Sequence, residues 1–130
     1  MKTTVCIYGT YENFNDEIDE INQELQESDI EFVKPQLGGG LPPENILDVF
    51  FVIANSFILS YAYDKTKAFI LKCLDKHRKV SEKEGVKPVI NINIKKDLST
   101  EYTTIRLENC SDEVMIEALD KALIKTDNNE

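Results

Sequence analysis

Apolar and polar positions along the chain fall into blocks of two periodicities. Thr3 to Tyr8 is β-branched and aromatic and is closed by Gly9, which reads as a strand. Phe14, Ile18, Ile21 and Leu25 then recur at intervals of four, three and four, one face of a helix. Ile30-Glu31-Phe32-Val33 reads as a second strand, ended by Pro35. Strand, helix and strand within about 30 residues form a minimal βαβ unit, with parallel strands joined by a right-handed crossover.

Leu37-Gly38-Gly39-Gly40-Leu41-Pro42-Pro43-Glu44 follows as a flexible loop. Pro43 suits the first turn of a helix and Glu44 complements its positive end, so a helix is expected next. From Asn45 to Lys83 there is no glycine or proline. The segment therefore predicts one long helix, or two meeting near Ser60 to Asp64. Residues 46–63 are apolar on nearly every side, whereas 65–83 are amphipathic, with Phe69, Ile70, Cys73, Leu74 and His77 on one side.

Pro88 to Lys95 alternates, with Ile90, Ile92 and Ile94 on one face and Asn91 and Asn93 on the other. After a turn, Tyr102 to Leu107 returns with Thr103, Ile105 and Leu107 inward, an antiparallel hairpin with one wet face. A last helix starts near Ser111 with Asp112 and Glu113 in its first turn, and Met115, Ala118, Leu119 and Ala122 form its stripe. The expectation is one α+β domain over residues 1–130, ordered β-α-β-α(α)-β-β-α. Its four-stranded mixed sheet carries helices mainly on one face, and residues 125–130 form a disordered tail.

Charge adds an asymmetry. The net charge is −9, and no base lies between Lys2 and Lys34. That stretch holds nine of the 24 acids, and the remaining 15 match the 15 bases. Residues 65–87 lean the other way, with Lys65, Lys67, Lys72, Lys76, Arg78, Lys79, Lys83 and Lys87. A chain so balanced lacks the basic face that general nucleic-acid binding needs. The acids of the first helix read as a solvated face; alternatively Asp16, Glu20 and Glu27 meet a basic surface on a partner or on the Lys-rich helix of a second copy.

Candidate chemistry is sparse. The triple glycine is followed by Pro42-Pro43-Glu44 where a phosphate loop needs Lys-Ser/Thr, so a hinge is the better reading. Cys73 and His77 share a helix face but lack the further ligands zinc requires, and read as a buried thiol beside a surface histidine. They also lack the third group of a nucleophile–base pair. No catalytic residue, metal site or cofactor is expected. Cys6, Cys73 and Cys110 have no CxxC spacing and suit reduced thiols. The first residues lead straight into a strand pattern, and a cytoplasmic location is expected.

Val49 to Tyr63 is uncharged for 15 residues, short of the roughly 20 a spanning helix needs. An all-round apolar helix must be covered, by the core, by a second copy or by a membrane surface. Phe50, Phe51, Phe57, Ile58 and Tyr61 are its candidate interface residues.

The order of parts resembles the effector-associated constant component family, small bacterial proteins encoded beside effectors of conflict and defence systems. The matching features are the strand-helix-strand, the Gly38–Glu44 passage, an apolar helix leading to a basic end at Leu74 to Lys79, the Ile90–Leu107 hairpin and the Val114–Leu123 helix. The chain has no Trp, which members often carry at that basic end. The resemblance implies a non-enzymatic protein-interaction adaptor, here expected to self-associate as a dimer. The other readings are a peripheral membrane protein using residues 46–63 and a small enzyme of unfamiliar type.

Overall fold

The computed structural model describes residues 2–10, 13–34, 45–54, 60–96 and 98–128. Among them the elements are β1 (Thr3–Gly9), α1 (Asn15–Glu24), β2 (Ile30–Val33), β3 (Asn45–Ile53), α2 (Ser60–Glu84), β4 (Pro88–Lys96), β5 (Thr103–Glu108) and α3 (Asp112–Asn128). The strands form one mixed sheet in the order β2-β1-β3-β4-β5. β1 runs parallel to β2 and β3 parallel to β4, whereas β1 and β3 are antiparallel, as are β4 and β5. The fold is thus two βαβ units joined side by side, with a hairpin strand and a helix appended.

The expected helix over residues 46–63 does not form at 46–53; residues 55–59 lie outside the described residues and 60–63 open the next helix. The first half of the segment is β3, the middle strand, so the sheet has five strands and not four. The physical reason is that β3 is paired on both sides, and its even positions Ile46, Phe50 and Val52 are half-buried on the face away from the helices. With apolar residues on both faces the strand shows no polar alternation and reads like a helix of the same composition. The amphipathic second half of the same segment is α2, as its stripe predicts. The Gly38–Glu44 passage, Phe57 and Ile58 lie outside the described residues.

Alternation in β3 sorts the sheet into two faces. Asn45, Leu47, Val49 and Phe51 are buried on one side, level with Val5 and Ile7 of β1 and Ile90, Ile92 and Ile94 of β4. Onto this face pack Phe14, Ile18, Ile21 and Leu25 around α1, Phe69, Ile70, Cys73 and Leu74 of α2, and Met115, Leu119 and Leu123 of α3. Each such side chain stabilises the fold by about 1.5–3 kcal/mol on burial. Ile105 and Leu107 of β5 pack against the same core half-buried, while Thr103, expected inward, is exposed.

Local chemistry sets the element ends. α2 stops at Gly85, whose φ of +69° suits a residue without Cβ; the Val86 N–H donates to Ser81 O at 2.9 Å, closing a Schellman cap. Ser111 starts α3 by accepting from the Val114 N–H at 3.2 Å. Arg78 ties the two helices, donating to Asp112 at 2.6 Å and to Cys110 O at 2.8 Å. α3 continues to Asn128, so residues 125–128, expected as tail, are helical.

His77 also corrects its expectation. It is fully buried, not at the surface, on the core side of α2 near Ser81, which accepts from Asn45 Nδ2 at 2.8 Å.

The alternation can be tested by truncating neighbours. Phe51→Ala should cost about 3–5 kcal/mol in chemical denaturation, and Phe50→Ala well under half as much. Equal costs would contradict a strand with one face in the core.

Candidate functional site

On the opposite face the register lines up residues in rows across the sheet. Tyr8, Asp48, Asn91 and Arg106 form one row; Val33, Cys6, Phe50, Asn93 and Thr104 form the next; Glu31, Thr4, Val52 and Lys95 form a third. All three helices pack on the other side, so among the described residues no helix covers these rows.

Two features organise them. One is aromatic. Tyr8 stacks on Phe50 with centroids 6.1 Å apart, and Tyr102, from the β4–β5 connection, meets the other side of Phe50 edge-on at 5.4 Å. Lys95 Nζ lies over the Tyr102 ring at 5.1 Å. Tyr102 is 41% exposed, while Tyr8 and Phe50 are half-buried, so the strip opens to solvent mainly at Tyr102.

The second feature is a polar chain across three strands, with Tyr8 of β1 level with its first member. Asn93 Nδ2 donates to Asp48 Oδ1 at 3.3 Å, and Thr104 Oγ1 donates to Asn93 Oδ1 at 2.7 Å. Asn93 Oδ1 is therefore an acceptor, which fixes its amide orientation. Burial and then the negative charge of Asp48 push the Tyr8 hydroxyl above its ordinary value. Asn91 Oδ1 is buried beside this chain with no hydrogen bond.

The cysteines are poor nucleophiles here. Burial raises the Cys6 thiol, and it raises Cys110 despite the opposing charge of Arg78. Cys73 is buried in the core. Among the described residues no three His, Cys, Asp or Glu side chains come together as a metal site.

The sequence-predicted interface residues are scattered. Phe51 is 1% exposed, held in the core beneath the helices, and cannot meet a partner. Phe50 lies in the aromatic strip, and Tyr61 is 44% exposed at the start of α2, away from it. No helix among the described residues is long and apolar enough to cross a membrane. The apolar helix required by a membrane-surface reading of residues 46–63 is replaced at 45–53 by β3.

Asp16, Glu20 and Glu27 are exposed, as expected of a solvated face. Their neighbours are not left to a second copy. α1 lies beside the Lys-rich α2, where Lys76 meets Glu17 at 3.1 Å and Lys65 meets Glu24 at 2.9 Å; Lys34 meets Asp19 at 3.0 Å. A shallow cleft of about 260 Å³ runs between the helices, lined by Glu17, Glu20, Glu24, Lys65, Lys72 and Phe69. Exposed pairs of this kind add at most about 1 kcal/mol each. Their larger effect is to cancel opposite fields inside one chain.

Sequence reasoning missed Tyr8, Asp48 and Tyr102. Asp48 was the available signal, a lone acid inside an apolar run and level with Asn91 across the sheet.

Compared with known proteins, the chain matches no family model, no curated protein and no solved structure.

Glu17 offers a pH test. Burial alone would raise its carboxyl, but the Lys76 hydrogen bond, its own backbone and the charges of Lys76 and Lys72 outweigh burial and hold it below 4.5. A depressed carboxylate contributes stability above its unfolded value and loses it as pH falls through the folded one. Glu17→Gln should therefore cost up to about 1 kcal/mol at neutral pH. In urea titrations that difference should shrink as pH falls through the depressed range of this carboxyl and vanish once it is protonated in the folded chain; a constant difference would contradict the pairing.

Proposed function

We propose that the chain is a non-enzymatic protein-interaction adaptor that presents the helix-free face of its sheet to another protein. The observation that carries this is the strip Tyr8–Phe50–Tyr102 beside the Asp48–Asn93–Thr104 chain. An exposed Tyr102 backed by half-buried Phe50 and Tyr8 offers contact area at low entropic cost, and fixed amide and hydroxyl groups add direction. A rigid sheet holds both, so little ordering is needed on binding.

The helix side of the sheet differs in charge. Asp16, Glu20 and Glu27 present one sign and would steer basic partners, raising on-rate more than affinity. The sheet face carries both signs, with Asp48 and Glu108 against Lys95 and Arg106. It can therefore meet a partner of low net charge. Membership of the effector-associated constant component family, and service in a bacterial defence system from the cytoplasm, belong to this proposal and rest on the order of parts.

The test compares co-purification from the native cell using the wild type, Tyr102→Ala and the control Glu20→Gln. An aromatic anchor should cost at least about tenfold in recovered partner when truncated. The control should recover as much as wild type. Equal recovery with Tyr102→Ala, after circular dichroism shows an intact fold, would remove the sheet face as the binding surface.

A further inference from the structure

A sheet of this kind has two edges, and strand addition at an edge is the commonest way for such a chain to join a copy of itself. The two edges here are built differently. On β2, Thr3 N–H donates to Asp29 O at 2.8 Å, so the alternate residues Ile30 and Phe32 turn their main-chain groups outward. Side chains occupy most of these groups. Asn22 of α1 donates Nδ2 to Phe32 O at 2.8 Å and accepts from Phe32 N–H at 2.8 Å, as a neighbouring peptide group would. The Ser28 hydroxyl accepts from Ile30 N–H at 3.1 Å, and its single proton lies nearer Leu25 O at 2.8 Å than Ile30 O at 3.2 Å.

The other edge is β5. Asn109 N–H donates to Pro88 O at 2.8 Å, and the register then makes Leu107 and Ile105 bond β4 while Thr104, Arg106 and Glu108 turn N–H and C=O away from it. Among the described residues no strand pairs with that side.

We propose that two copies of the chain join antiparallel along β5, about a two-fold axis at Leu107. This rests on the self-associating part of the adaptor reading and names its contact. Charge chooses the register. Arg106 and Glu108 lie on the same face and meet at 3.1 Å within one strand, and Lys87 meets Glu108 at 3.1 Å. With Leu107 opposite itself, Arg106 stands across from Glu108 of the second copy on both sides of the axis. The four charges then alternate around a square. Moving the axis to Arg106 sets arginine against arginine, and moving it to Ile105 leaves Glu108 against Tyr102. Opposite charges directly across a strand pair stabilise it, and like charges oppose it. Half-buried Leu107 adds an apolar contact at the axis on the helix side. A two-fold contact is also self-limiting, because β5 is consumed and both outward N–H groups of β2 are already bonded by side chains. The product is a ten-stranded sheet whose two helix-free faces are continuous.

Light scattering and sedimentation from micromolar to millimolar concentration read the outcome. The wild type should reach twice the chain mass. Arg106→Glu and Glu108→Arg each place like charges across the axis and should weaken association about tenfold or more. Mixing those two variants should restore a dimer, because each then faces its complement; damage within one chain would not be repaired by mixing. Amide exchange of Arg106 and Glu108 should slow with concentration. A wild type that stays monomeric would overturn the proposal. So would a dimer indifferent to both variants, or a mixture that fails to pair. Those failures leave the Tyr102 result untouched, so the fate of the adaptor face is read separately.

Discussion

The fold depends on β3 being hydrogen-bonded along both of its edges. β1 pairs with it antiparallel from Thr4 to Gly9, and β4 pairs with it parallel along all of Asn45 to Ile53. Each βαβ unit can bury its own helix, but only β3 joins the two units into one sheet. The period of two then does the rest. Odd positions of β3 complete the floor of the helical core, and even positions place Asp48 and Phe50 at the middle of the opposite face. One strand thereby sets core packing and the candidate binding surface, and a one-residue slip would exchange them.

The charges follow from the same geometry. Because α1 and α2 both lie on the core face, the acidic and basic halves of the chain become neighbours. Glu17 and Glu24 pair with Lys76 and Lys65, and Lys76 also reaches Asn13 O and the Phe14 ring. These contacts lie 23–54% exposed and stabilise the fold little beside the apolar core. They leave Asp16 and Glu20 of α1, Glu27 in the turn after it and Glu31 of β2 exposed as acids. The helix-free face stays mixed in sign.

Legibility in the sequence tracked how many sides of each element meet water. β4 was readable because Asn91 and Asn93 break its apolar run on one face, and α1 because its far side is entirely polar. α3 announced its start through Ser111 and its acidic first turn. β3 concealed itself. Its even positions Ile46, Phe50 and Val52 are as apolar as its odd ones, and only Asp48 breaks the pattern. Without glycine or proline between Pro43 and Gly85, a helix-length apolar segment was the natural reading. His77 misled for a related reason, since a polar ring in a helical stripe carries no mark of being fully buried. The aromatic strip was illegible because Tyr8, Phe50 and Tyr102 meet only through strand register.

The most direct test of β3 is an NMR measurement of contacts between Hα protons across the central pair. Thr10 N–H donates to Ile46 O, which places Ile7 opposite Val49 and Val5 opposite Phe51 at positions where the Hα protons approach closely. The account predicts strong Hα–Hα cross-peaks for both pairs, with slowly exchanging amides through Asn45–Ile53. Helical contacts between residues three apart over 46–53, with those cross-peaks missing, would contradict it.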